Sequence, residues 1–92
     1  MEQKFIAAWL AAREKAAGLG VRFRPMEESA AMDTAHRCLS GHRESDGFDR
    51  LASLGRLDLS LEALAVGKYT GLFSDEEANN ALTRLLTAGY KF

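Results

Sequence analysis

The residue types best suited to chemistry crowd together: His36, Cys38 and His42 lie within seven positions as H-x-C-x-x-x-H. All three types ligate zinc, and a thiol beside an imidazole is also a nucleophile with its base. The surrounding sequence argues against both uses. Residues two apart on a helix project about 200° from one another, so a helix running through them turns His36 and Cys38 apart. The chain holds two histidines and one cysteine, so a closed four-ligand site would have to borrow Asp or Glu. Cys38 shares its helical face with Ala31, Ala35 and Leu39. Such an apolar setting raises a thiol pKa, whereas a nucleophile needs it lowered. The expectation is a buried thiol beside two surface imidazoles, with no catalytic residue, no metal and no cofactor.

Two further patterns could touch phosphate. Gly67-Lys68-Tyr69-Thr70 contains the GK pair of a phosphate loop, but that motif needs a glycine five positions earlier, where Glu62 stands. Leu61 to Leu86 reads as a short helix, a glycine-bearing connection and a longer helix, the outline of a helix-turn-helix. Entering a major groove N-terminus first, the second helix would carry Asp75, Glu76 and Glu77 towards phosphate, with Arg84 as its one cation. From Leu57 to Phe92 there are five acids against three bases.

The middle of the chain offers a different surface. Arg22, Arg24, Arg37, Arg43, Arg50 and Arg56 are six arginines with no lysine among them. Guanidinium groups suit carboxylate and phosphate forks and stack on rings. Glu27, Glu28, Asp33, Glu44, Asp46 and Asp49 match them in number, so a salt-bridged solvated face is expected, with Asp33 and Arg37 at i, i+4 spacing. Polar loops with embedded aromatics occur at Arg43–Phe48 and Lys68–Phe73. Tyr and Arg dominate interface energetics, which makes Arg43, Glu44, Asp46, Arg50, Lys68 and Tyr69 the candidate partner-binding residues.

These residues must be positioned by helices. Ser74 and Glu77 have capping-box spacing, Phe73 and Ala78 staple spacing, and Asp75, Glu76 and Glu77 suit the positive end of a helix dipole. That helix ends at Gly89, with Tyr90 folding back on Leu85. Ala78, Ala81, Leu82, Leu85 and Leu86 share its apolar face. Glu2 to Ala17 predicts a first helix with Phe5, Ile6, Trp9, Ala12 and Ala16 inward and Gly18 as its stop; Ala7, Ala8 and Ala11 lie outward, where a second copy of the chain could pack. Pro25 to Ser40 predicts a second helix. Asp46 caps a short third one carrying Phe48 and Leu51, which Gly55 ends. Leu57 and Leu59 flank an extended link, and Ser60 caps a fourth helix, Leu61 to about Val66. Val21–Arg24 and Tyr90–Phe92 alternate apolar with basic residues and are the one candidate for a two-stranded ribbon.

The expected architecture is therefore all-α or nearly so, one domain over residues 1–92, built as a compact bundle of five helices. Its core is expected to hold Phe5, Ile6, Trp9, Ala35, Leu39, Phe48, Leu51, Leu64, Phe73, Leu82, Leu85 and Leu86. Twelve Lys plus Arg against thirteen Asp plus Glu leave no polycationic field for nucleic acid or an anionic membrane. No window is apolar enough to span a bilayer, Arg13, Glu14 and Lys15 interrupt anything like a signal peptide, and the single cysteine points to a reducing compartment, so a cytoplasmic protein is expected. With no convergent catalytic set, the expectation is a non-catalytic module that binds another protein or an assembly, as inhibitor, adaptor or subunit, with self-pairing as a homodimer open. Small inhibitors encoded by phages or mobile elements, anti-CRISPR proteins among them, share this size and lack of motif. A nucleic-acid-binding regulator, through Leu61–Leu86 or the arginines, is the alternative.

Overall fold

A computed structural model describes residues 2–24, 26–41 and 44–90. Five α-helices run in order: α1 (Glu2–Gly18), α2 (Ala31–Ser40), α3 (Phe48–Ser53), α4 (Leu61–Val66) and α5 (Asp75–Thr87). Short 3-10 turns at Glu28–Ala30, Leu57–Leu59 and Thr70–Leu72 link them, and there is no strand among the described residues. This is a small, compact all-α bundle.

The first helix buries Phe5, Trp9, Ala12 and Ala16, a stripe at helical spacing that runs its whole length. That stripe joins two apolar clusters. Phe5 and Trp9 meet Ala31, Ala35 and Leu39 of α2, Leu61 and Ala65 of α4, Phe73 and Ala81. Ala12 and Ala16 meet Val21, Phe48, Leu51, Leu57, Leu59 and Leu85. Phe5 is the hub of an aromatic group, with Trp9, Tyr69 and Phe73 rings 5.3–5.8 Å away. The alanines of α2 are what allow α1 and α5 to approach it closely. Ala7 and Ala11 of α1 face outward.

The local signals of α4 and α5 are realised. Ser60 Oγ accepts the Ala63 amide at 3.1 Å. Ser74 Oγ accepts the Glu77 amide at 3.1 Å while Glu77 Oε1 accepts the Ser74 amide at 2.8 Å, closing the capping box. The Tyr90 amide donates to the Leu85 carbonyl at 2.9 Å across Gly89, as the Schellman pattern requires.

Several expectations are corrected. Gly18 is not the left-handed stop of α1. It is the last helical residue, and the left-handed stop comes two residues later at Gly20, which takes φ +89° while the Val21 amide reaches the Ala16 carbonyl at 3.0 Å. Burial explains the choice, because this stop places Val21 on Ala16 inside the second cluster. The ribbon is absent over the described residues: the Val21 amide is spent on that stop, and Phe23 and Tyr90 pack against the second cluster. Lys91 and Phe92 lie outside the described residues. α2 begins at Ala31, not at Pro25, which is itself outside them; Glu27 is extended, and helix forms only where Ala31, Ala35 and Leu39 have walls to bury against. Asp46 does not cap α3. Gly47, at φ +77°, occupies the cap position. Leu57–Leu59 is a 3-10 turn that buries both leucines, not an extended link. Asp33 and Arg37 form no ion pair.

The largest correction concerns α5. Leu82 and Leu86 are 37% and 58% exposed, so they are not core residues. Ala81 and Leu85 are buried as expected, and Glu77 joins them. The helix is rotated because its polar stripe, Glu77, Asn80 and Arg84, has work to do against the end of α2.

Candidate functional site

The end of α2 explains that rotation. Gly41 is not left-handed, so α2 lacks a glycine stop and its last carbonyls need other donors. Asn80 Nδ2 donates to the Leu39 carbonyl at 2.9 Å, and Arg84 donates to the carbonyls of Cys38 at 3.1 Å and Gly41 at 2.7 Å. Arg84 also meets the Glu62 carboxylate at 3.2 Å. Glu62 is fully buried, and its oxygens accept the Ser45 amide at 2.8 Å and the Ser45 hydroxyl at 2.5 Å. One buried cluster thus fixes α2, α4, α5 and the turn at residue 45. Sequence reasoning missed it. The available signals were an acid inside the apolar run LEALAV and a lone cation on α5.

That turn forms one wall of a cleft of about 910 Å³. Arg22, Arg24, Met26 and Glu27 form the second wall, the third is α2, and Trp9 and Arg13 of α1 form its base together with Phe48. Gly47 makes the close approach of two walls possible. A Cβ at that position would lie 2.8 Å from both Val21 Cγ1 and Phe23 Cε1. Residues 21–24 are stapled at Arg24. The Arg24 amide donates to Asp46 Oδ2 at 2.6 Å, and Arg13 Nη2 donates to the Arg24 carbonyl at 2.6 Å. Arg13 also stacks 4.8 Å over the Phe23 ring and 5.9 Å over Trp9. Burial pulls the Arg13 pKa down and Asp46 opposes that shift.

The sequence-derived candidates divide. Glu44, Asp46 and Arg50 line the cleft. Asp46 is committed to the staple. Arg43 and His42 lie outside the described residues. Lys68 and Tyr69 are not part of the cleft: Tyr69 packs its ring edge-on to Phe5 at 5.5 Å and sets its hydroxyl 3.5 Å from the Lys4 carbonyl. Trp9 was expected in the core and is buried there; that it lines the cleft together with Arg13 was not read from the sequence.

Among the described residues the expected salt-bridged face forms only in part: Arg56 meets Asp58 at 3.1 Å. Arg22, Arg24, Arg37 and Arg50 are exposed along the cleft, and none of their guanidinium groups pairs with a described residue. Glu27, Glu44 and Asp49 also line it, exposed and equally unpaired. Cys38 is half-buried in the cleft wall, and burial, helped by Glu62, pushes its thiol pKa up, which makes it a poor nucleophile at neutral pH. His36 turns the other way, placing Nδ1 2.8 Å from Glu77 Oε2. Among the described residues no group of three His, Cys, Asp or Glu side chains is placed to hold a metal ion. Among the described residues no helix is long and apolar enough to cross a membrane. No protein-family model matches this sequence, and neither a curated protein nor a solved structure matches it.

Proposed function

We propose that the chain is a non-catalytic interaction module that binds another protein through this cleft, acting as an inhibitor, adaptor or subunit. The observation that carries the reading is the mixture of four guanidinium groups and three carboxylates, none paired with a described residue, around an aromatic base. Charges without partners among the described residues suit a complementary charged surface, which supplies orientation and specificity. A phosphodiester chain fits less well, because Glu27, Glu44 and Asp49 would stand against it. The first turn of α5, with Asp75 and Glu76 exposed, is equally unsuited to a major groove. The free thiol of Cys38 is consistent with a reducing, cytoplasmic setting.

The test is affinity capture from lysate with and without nuclease. Recovery of one protein in stoichiometric amount after nuclease treatment supports the reading. Recovery that disappears with nuclease, or turnover of a substrate that depends on Cys38, replaces it.

A further inference from the structure

Two hollows flank the stretch from Arg22 to Arg24. The cleft lies on one side, and on the other a groove of about 820 Å³ is lined by Leu10, Ala17, Val21 and Phe23. Arg13, Arg22 and Met26 line both hollows and so form the partition between them. That partition is lightly held. At its start Val21 is buried and its amide is bonded to the Ala16 carbonyl. Beyond it, the backbone groups of Arg22 and Phe23 bond to no described residue, and the Phe23 side chain is half-buried. The firm point is Arg24, whose peptide groups are gripped from two sides. Its amide donates to the Asp46 carboxylate at 2.6 Å, and its carbonyl accepts from the Arg13 guanidinium at 2.6 Å. Each contact has one charged member, which shortens and strengthens it. Both are exposed, so salt screens them. The same guanidinium lies over the Phe23 ring at 4.8 Å and over Trp9 at 5.9 Å. Letting go of Arg24 therefore loosens Phe23 and lifts the cover from Trp9, which is 5% exposed in the closed form.

We propose that residues 22–24 are a strap latched by Arg13 and Asp46, and that release of this latch joins the two hollows into one groove along α1 and uncovers Trp9. The strap opens locally, because few buried contacts and only exposed hydrogen bonds hold it, while the bundle beneath stays folded. The device concerns the shape of the groove and holds for any occupant of the cleft. Arg13 and Asp46 are its positioning residues, acting through the peptide groups of Arg24.

Trp9 is the single tryptophan, so quenching of its fluorescence by neutral acrylamide reads how often the ring is uncovered. Arg13→Met and Asp46→Ala each remove one side of the latch. Exposed charged contacts are individually weak, so each variant is expected to raise the quenching constant about two- to fivefold. Asp33→Asn, which removes an exposed acid of α2 outside the cleft, should leave it unchanged. In the unaltered protein, the Arg24 amide should exchange with solvent far faster than the amides of α5 when both are followed by NMR. Its exchange should quicken severalfold between about 0.01 and 1 M sodium chloride, as the Debye length falls from about 30 Å to about 3 Å. This salt series needs no substitution and gives the same readout should a variant fail to fold. Unchanged quenching in both variants overturns the proposal. So does an Arg24 amide that exchanges only as fast as those of α5, or one whose exchange ignores salt. Quenching that rises only together with loss of the helical circular-dichroism signal also overturns it, because the opening would then be global.

Discussion

Arg84→Met isolates what the buried cluster contributes. Methionine keeps most of the stem volume and removes the guanidinium. Glu62 has no solvent exposure and retains only Ser45 as a donor, while the carbonyls of Cys38 and Gly41 lose theirs. Removing one partner of a buried ion pair costs about 3–5 kcal/mol, because a charge is left without compensation. A domain of this length has a total stability of about 5–14 kcal/mol, so the loss is a large fraction of the whole. Urea unfolding, followed by Trp9 fluorescence and circular dichroism together, should show the midpoint falling by roughly 2–4 M with an unchanged slope. Glu62→Gln/Arg84→Met removes the orphaned charge as well, and should recover part of the loss. A cost below about 1 kcal/mol for Arg84→Met would mean that water reaches Glu62 and the burial argument is wrong. A double variant as unstable as the two single losses added together would assign the cost to the bare carbonyls of α2 and not to the charge.

Three other outcomes follow from the packing and the charges. Leu85→Ala should cost about 2–5 kcal/mol and Leu86→Ala less than about 0.5 kcal/mol in the same urea assay, since the first is fully buried and the second 58% exposed; equal costs would contradict the observed rotation of α5. Gly47→Ala should destabilise by about 1–3 kcal/mol and Gly55→Ala by less, because both have positive φ but only Gly47 would bring a Cβ 2.8 Å from two side chains. At Glu77 desolvation pushes the carboxyl pKa up, but hydrogen bonds from the Ser74 amide and His36 outweigh it, so the folded value lies below the ordinary one. A carboxyl lowered on folding contributes stability that is present above its unfolded pKa and lost as pH falls through the folded value. Acid titration of stability should therefore flatten in Glu77→Gln below the ordinary glutamate range, and an unchanged profile would deny the shift.

The parts of the fold legible in the sequence were those fixed by neighbours in the chain. Ser74 and Glu77 close a capping box because three residues separate them, and Ser60 caps α4 for the same reason. The stops at Gly55 and Gly89 could be read, but Gly18 and Gly20 offered two stops to α1, and only the burial of Val21 on Ala16 decided between them. The face of α5 was misjudged because apolar periodicity counts Leu82 and Leu86 as inward. The competing demand came from the carbonyls of Cys38, Leu39 and Gly41, which no local pattern reveals. The candidate site was legible in composition, through the arginines and through Glu44 and Arg50, but not in geometry. Asp46 was assigned to the cap of α3 when it holds Arg24, and the sequence did not show that Tyr69 packs on Phe5, away from the cleft.

The borrowed donors at the end of α2 also govern the order of assembly. The groups that satisfy this helix stand 41 to 46 positions further along the chain, so its last turn has no stable form until α5 has docked. Its amides should then exchange with solvent only through openings that also undock α5, which makes the two helices one cooperative unit. A ligand that clamps the α2 wall of the cleft therefore slows the fraying of α5 on the far side of Leu39, although it touches no residue of that helix.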